Sequence, residues 1–491
     1  MNDKIFKSAF ILSVAPLITQ LFSFFVLPII SRIYTPEDFG VYASIASVAG
    51  VISVIQGFGY HQAIILPKSE RIAQLIFNIC VTVTLCISFL LFLFFYFIPD
   101  GFNFIAKTVL DYKYFIVSLI LLEGFFLCIQ AFNIRKGNFK MISFSRVLRV
   151  FFNKFIILFL GLFVVVHPSN LVYADIVATS IVCILLLFAI KKHVFLLQKF
   201  DLVLIKSILY KYRQFPIYNM PADIVFRLKQ AVVIYLILVY YSTQVVGYYS
   251  MSLLILTIPT TLIGGAVSEV FYKEAASYNS IEKLRKSTIE LFITLMSSSL
   301  VIFVLLSLYG RNFILFFLGN DWDGATTVIS ALILASFNNF IVGPFFNILK
   351  ILYKQNLNLL YQVAAIILSS IAILIGVKFE SYFISFLLYS LFNLIIGIWL
   401  LTKIFKFLKI KFNSIILDTS KIFLNIIPII IIFFIYDYFF INPSIYFDFL
   451  IIILSLILNY YLNFKLLYPF KDMLSYLIIN PLFNLWKKKL L

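Results

Sequence analysis

Charge is scarce in this chain. Of its 491 residues 12% are charged and 63% are hydrophobic, and the mean hydropathy is +1.06. Soluble domains carry about 25% charged residues, so a soluble enzyme is excluded. Cysteine is equally sparse: Cys80, Cys86, Cys128 and Cys183 all fall inside apolar runs, where a thiol behaves as a small hydrophobe, and their spacing fits neither a disulfide framework nor a metal site. Seventeen Gly and fourteen Pro are too few for a disordered or collagen-like chain. The three histidines, His61, His167 and His193, lie far apart, and neither a phosphate-cradling G-x-x-x-x-G-K-[ST] loop nor an H-E-x-x-H zinc helix occurs. No cofactor, no metal, no catalytic residue and no enzymatic activity are expected.

What is abundant is long apolar sequence, with 58 Phe among it. A membrane barrel would alternate apolar and polar residues in runs of about ten. Here the runs are continuous and about twenty long, the length of a helix crossing a 30 Å hydrocarbon layer. Fourteen such runs are expected to be transmembrane helices in an all-α integral membrane protein. They include Val41–Ile65, Phe151–Val166, Pro216–Tyr240, Gln244–Ser268, Thr288–Tyr309 and Ser444–Phe464. The first run, about twenty residues with Pro16 and Pro28 and no A-x-A site, is too long for a signal-peptide core and is expected to stay as the first helix.

Basic residues in short loops are retained on the cytoplasmic side. With the N-terminus inside, 31 of the 39 Lys and Arg fall on cytoplasmic segments, and only Arg32, Lys107, Lys113, Arg311 and Lys378 fall opposite. Both termini are therefore expected in the cytoplasm. The net charge of +18 is spread over these segments, which suits anionic lipid headgroups and not nucleic acid. Phe195–Arg213 and the tail Leu466–Leu491 mix apolar and basic residues and are expected to lie along the cytoplasmic interface. The outward loops, near Pro99–Tyr112 and Gly310–Ala325, are about fifteen residues each on these limits.

The entrance to the second run, YTPEDFGVYA from Tyr34 to Ala43, aligns without gaps on YSTQVVGYYS from Tyr241 to Ser250, an offset of 207 residues. Six spans separate the copies, so both have the same orientation, the pattern of transporters whose halves rock about a central site. The expected division is a six-helix lobe over residues 1–193, an amphipathic linker over 194–213, a second six-helix lobe over 214–402, and two extra helices with a basic tail over 403–491. Gly40 and Gly247 sit at the same place in the two copies and permit close helix approach. Ala46, Gly50, Ser53 and Gly57 continue a small-residue stripe expected to pack against another helix.

These residues resemble a family. Ser31–Ala43 (SRIYTPEDFGVYA), Gln62–Pro67 (QAIILP), Phe215–Ala222 (FPIYNMPA), Val246–Ser250 (VGYYS) and Gly319–Ala325 (GNDWDGA), in that order, are similar to motifs of bacterial polysaccharide (O-antigen) flippases of the multidrug/oligosaccharidyl-lipid/polysaccharide exporter superfamily. The resemblance spans roughly residues 1–402. It implies a cavity between two lobes, open alternately to each side, in a multi-pass protein of the bacterial inner membrane. It implies as substrate an undecaprenyl-pyrophosphate-linked oligosaccharide, a polyprenyl-pyrophosphate-linked glycan, moved to the periplasmic leaflet for surface polysaccharide synthesis. The chain is expected to act as a monomer among membrane lipids, with a polysaccharide polymerase complex as a further partner. Lacking an ATP loop, it would draw on an ion gradient, the membrane potential or product removal.

Ionisable side chains within a span cost about 2.5–3.5 kcal/mol on insertion scales and usually face a cavity. The seventh run holds Asp223, Arg227 and Lys229, with Pro221 at its start. Asp223, Arg227 and Gln230 share a helix face, and Lys229 points about 200° away. Arg227 lies about 17 Å along if the helix starts at Pro216 and about 9 Å if Pro221 delays it. Arg227 is the first candidate to grip a pyrophosphate, which Arg binds bidentately. Lys229 either joins it or snorkels to an interface, and Asp223 either pairs with Arg227 or carries a coupling ion. Glu123, mid-span in the fourth helix, either carries a coupling proton or cation or is buried and paired. Asp175 is expected near an interface. In the first helix Ser13, Pro16, Gln20 and Ser23 form a polar stripe, with Gln20 toward the substrate and Pro16 as a hinge. Two other functions stay open. A cation-coupled drug antiporter would line its cavity with carboxylates, and a membrane-embedded polymerase would need a large outward loop.

Overall fold

Within a bilayer, main-chain donors and acceptors must be satisfied inside each segment, and the apolar runs accordingly form helices. The computed structural model describes residues 3–98, 106–191, 202–275, 280–410, 413–439 and 445–466. Among these residues there is no strand. The loop 99–105, the linker's first half, the side chain of Ser13 and the tail beyond Leu466 lie outside the described residues. Of the described helices ten are long and apolar enough to cross a membrane, or eleven if a bent pair is one span. Fourteen were expected. Among the described residues, α6 and α9 each carry at least three charges in any 18-residue stretch, which sets them apart from the more apolar spans.

One compact unit runs to Met251. It holds α1 (Asp3–Ile33), α2 (Pro36–Ser53), α3 (Glu70–Phe97), α4 (Lys107–Asp111), α5 (Lys113–Arg135), α6 (Phe139–Phe163), α7 (Ser169–Ile190), α8 (Leu202–Lys211), α9 (Met220–Tyr240) and the first half of α10 (Thr243–Pro259). The linker's second half is the helix α8. Its Ile208 and the following Tyr212 are buried with Phe77, Phe132 and Leu186 of α3, α5 and α7, while Lys206 and Lys211 are exposed. Helix α6 corrects one expected boundary. It starts at Phe139, twelve residues before the apolar run at Phe151, because its early turns pack on α1 and α7 while carrying Lys140, Arg146 and Arg149. Apolar length alone misses a helix whose charges are satisfied within the protein.

The repeat has a physical basis. Thr35 caps α2: its side chain accepts from the Asp38 N–H at 3.3 Å, the Asp38 carboxylate accepts from the Thr35 N–H at 2.8 Å, and Pro36 occupies the first turn, where its missing N–H costs nothing. At the matching position Ser242 Oγ accepts from the Val245 N–H at 3.3 Å. The copies also meet reciprocally. A Cβ on Gly40 would overlap the Thr243 carbonyl, and a Cβ on Gly247 would overlap the Pro36 carbonyl. Pro36 and Thr243 are themselves repeat mates, so the contact has the two-fold form of an isologous interface.

Continuous helices were expected in both copies; among the described residues only the first is sharply bent. After α2 the chain bends by 62° into a 3-10 segment, Gln56–Ile65. The bend is made by Gly57, Phe58 and Gly59, with φ of 66°, 45° and 72°, backbone that favours glycine. After α10 a π-turn, Thr260–Gly264, leads into α11 (Gly265–Ala275).

The second unit begins at Ser252. It contains α11, α12 (Ile281–Leu318), α13 (Asp323–Ile351), α14 (Gln355–Lys378), α15 (Tyr382–Phe407), α16 (Asn413–Leu424), α17 (Ile427–Phe439) and α18 (Ile445–Leu466). Helix α12 packs on α13, α13 on α15 and α14 on α15, the same pairing that joins α3, α5, α7 and α6 in the first unit. Helix α12 runs unbroken for 38 residues, about 57 Å. The outward loop expected at Gly310–Ala325 therefore shrinks to a turn at Gly319–Trp322, with Trp322 fully buried. Helices α16 and α18 pack on α12. There Asn425 donates to Asn463 at 2.8 Å, and Asn463 donates to Asn459 at 2.8 Å and to the Ser297 carbonyl at 3.4 Å.

Candidate functional site

Proline decides where the charged helix begins. The chain is already helical at Phe215, as a π-turn over Phe215–Asn219 with Pro216 in its first turn, and α9 continues it with Pro221 in its own first turn. Pro216 sits in the first turn, where its missing N–H costs nothing, whereas Pro221, six residues after Phe215, withholds a donor directly after the π-turn. Counted from Phe215, Arg227 lies about 16–18 Å along the helix, the longer of the two distances the sequence allows. The first turn of α9 is clamped by Gln62, which accepts from Asn219 Nδ2 at 2.9 Å and donates to Asp223 Oδ2 at 3.0 Å. Two motifs distant in sequence, QAIILP and FPIYNMPA, thus meet at one side chain. Among the described residues Asp223 forms no ion pair with Arg227.

Four residues further into α9, the face carrying Arg227 opens on a cavity of about 240 Å³. Arg227, Gln230, Ala231 and Ile234 form one wall. The wall opposite comes from α2 (Tyr42, Ala43, Ala46, Ser47, Gly50 and Val51), and Ser250 of α10 closes the site. No carboxylate lines it. The stripe expected to serve helix packing has a second effect: Ala46 and Gly50 keep α2 thin where Arg227 reaches across, and a Cβ on Gly50 would lie 4.0 Å from Arg227 Nη1. Arg227 and Gln230 come together as their spacing implies. Lys229, half-buried, is not part of the lining. Neither are Gln20 and Pro16, which sit on α1, an unbroken helix in which the Pro16 carbonyl accepts from Thr19 Oγ1 at 2.9 Å.

Behind the cavity lies a polar network that sequence reasoning did not assemble. Tyr42 lines the cavity and donates to Asp175 Oδ2 at 2.5 Å, and Asn153 Nδ2 donates to Asp175 Oδ1 at 3.0 Å. Glu123 is ion-paired with Arg149, whose guanidinium also stacks 5.1 Å from the Phe126 ring centre. Arg149 and Lys154 both act electrostatically on Asp175. Two acids and two bases on α5, α6 and α7 are thus brought together inside one unit. Arg149 was expected in a cytoplasmic loop and Asp175 at an interface; the early start of α6 carries Arg149 about 15 Å into the helix. The spacing Arg149, Asn153 and Lys154 on adjacent helical positions was the one signal that pointed to this face. Arg135, counted for topology alone, caps the turn leading to α3: it donates to the carbonyls of Ile64, Ile65, Pro67, Lys68 and Ser69.

The described residues form an all-helical architecture with ten or eleven helices apolar enough to cross a membrane, an internal repeat and a cavity with an arginine in its wall, that of a multi-pass membrane protein. Among solved structures the fold is similar to that of a lipid II flippase, MurJ, in an inward closed conformation, with a TM-score of 0.72 and 15% identity, covering 92% of this chain and 98% of that one. It is also similar to an inward-facing multidrug-resistance (MATE) transporter of the MOP superfamily, with a TM-score of 0.60 and 11% identity over 81% and 99% of the two chains. No protein of curated function matches in sequence. Residues 29–327 match the model of a family described as polysaccharide biosynthesis protein. The chain belongs to that family.

Proposed function

We propose that this protein is a flippase that carries undecaprenyl-pyrophosphate-linked oligosaccharide units from the cytoplasmic to the periplasmic leaflet of the bacterial inner membrane, for surface polysaccharide such as O-antigen. The observation that carries this reading is the cavity lined by Arg227 and Gln230 without a carboxylate. A guanidinium in a cavity wall without a carboxylate favours an anion, and its planar fork suits a pyrophosphate. A drug-cation antiporter would need the opposite lining, and a polymerase would need an outward domain that the short turn after α12 does not supply.

The mechanism is alternating access. At about 240 Å³ the cavity is smaller than the roughly 300–1,000 Å³ of small-ligand sites, so it must widen to admit the headgroup. Arg227 holds the diphosphate and Gln230 and Ser250 hydrogen-bond to it, while the glycan faces water and the polyprenyl chain stays in lipid. The network through Tyr42, Asp175, Glu123 and Arg149 is the route by which a proton or cation is coupled to occupancy, because Tyr42 belongs to both. Both termini face the cytoplasm, as the basic residues indicate, and the protein works as two six-helix lobes with α16–α18 outside them.

Deleting the gene should leave lipid-linked repeat units in the inner leaflet and remove the surface polymer; normal polymer in the mutant would overturn the reading. Arg227→Ala, at normal abundance in the membrane, should lower export at least tenfold, the loss of one charge-assisted anchor worth about 1.5–3 kcal/mol. Unchanged export in that variant would remove the pyrophosphate role.

A further inference from the structure

We propose that the second unit carries a separate glycan-binding subsite at the α12–α13 corner, a reading that rests on the flippase function and on the orientation proposed above. A cavity of about 340 Å³ lies between the last turns of α12 and the first turns of α13, within the size range of small-ligand sites, about 300–1,000 Å³. Arg311 and Asp323 meet across it at 3.3 Å, with side chains 70% and 58% exposed. Four hydroxyls, those of Ser307, Thr326, Thr327 and Ser330, share the wall. Thr326 and Ser330 each donate to a carbonyl of their own helix, at 2.6 and 2.8 Å, which leaves their oxygen lone pairs facing outward as acceptors. Leu306, Ile314 and Ile329 form an apolar floor.

This chemistry favours a neutral polyol over a phosphate. The Asp323 carboxylate already neutralises Arg311 and repels a second anion. A sugar hydroxyl can donate to Asp323 and accept from Arg311 at once, using the four guanidinium N–H groups beyond the one spent on the pair. The C–H face of a pyranose then covers the apolar floor, and its remaining hydroxyls find the Ser and Thr acceptors. The lining residues Leu306 to Ile314 lie about 6–18 Å from the end of α12. On the proposed orientation that end faces the periplasm. The subsite would hold the glycan, not the lipid anchor, as it emerges.

The test is cysteine protection in isolated membranes. Thr327→Cys, placed in a Cys86→Ser background because the other three thiols are buried, is treated with a permeant maleimide. The membranes come from cells that make the lipid-linked glycan and from cells that lack the first sugar-phosphate transferase. Ser47→Cys in the same background reports the Arg227 cavity. Labelling of the Thr327→Cys thiol should slow several-fold when the glycan is present. Arg311→Ala and Asp323→Asn should each abolish that protection, and inorganic phosphate alone should give none. Protection at the Ser47 position without protection at Thr327 overturns the subsite and leaves the flippase reading standing. Protection of Thr327 by inorganic phosphate also overturns it, as an anion site. Protection at neither position removes the flippase reading and the subsite together.

Discussion

At Gly50 and Arg135 single atoms decide what each side chain does. A methyl group at Gly50 meets only Arg227 Nη1, at 4.0 Å, an ordinary van der Waals distance. Gly50→Ala should therefore export normally. Gly50→Leu should fill the cavity beside Arg227 and abolish export with the protein still present in the membrane, which an abundance blot beside a surface-polymer assay would show. Arg135 holds the carbonyls at the end of the broken helix, and hydrogen bonds from a charged donor contribute about 1.5–3 kcal/mol. Arg135→Ala should lower the Tm of the purified protein in detergent by several degrees, and Arg135→Lys should recover only part, because one ammonium cannot reach carbonyls spread over five residues. The sequence marked Arg227 and Gln230 because intramembrane charge is costly and helical spacing is regular. It hid Arg149 and Asp175, because Arg149 pairs with Glu123 and Asp175 is hydrogen-bonded by Tyr42 and Asn153, so that the apolar run began late and the two charges read as loop and interface.

Among the helices, apolar length found the long spans and missed the bend. The run Val41–Ile65 breaks between Ser53 and Gln56, polar residues too few to end an apolar run; the signal is Gly57-Phe58-Gly59, whose left-handed backbone only tertiary packing makes necessary. The repeat, by contrast, was legible from ten residues, because helix capping and close approach both demand specific residue types. Its reciprocal contact makes a sharp prediction. Gly40→Ala or Gly247→Ala puts a methyl group into a backbone carbonyl, which cannot rotate away as a side chain can, so the ends of α2 and α10 must part. Either variant should lose export and resist heat poorly, in contrast to Gly50→Ala. Normal thermal stability of Gly40→Ala in a detergent melt would show that the contact is not held in the membrane.

For the whole molecule the scarce charge is sorted by position. Among the described residues most Lys and Arg lie within helices: Arg227 lines a cavity, Arg149 and Arg311 pair with acids, and Arg135 and Arg285 donate to backbone carbonyls. Phosphatase fusions, active only outside the cytoplasm, should be active after Ile98 and inactive after Ile190; the reverse pattern would invert the topology and move the α12–α13 corner to the cytoplasmic side. The contact of Gly40 with Thr243 also sets a clock on biogenesis. The two residues are about 200 positions apart, and a ribosome adding about 5–20 residues per second needs about 10–40 s to deliver the second after the first. During that interval the start of α2 sits in the membrane with its closest neighbour unmade. A nascent chain arrested at Tyr240 leaves Gly40 bare, and one extended through Met251 covers it, so the first unit becomes resistant to proteolysis only once the opening turns of α10 have been translated.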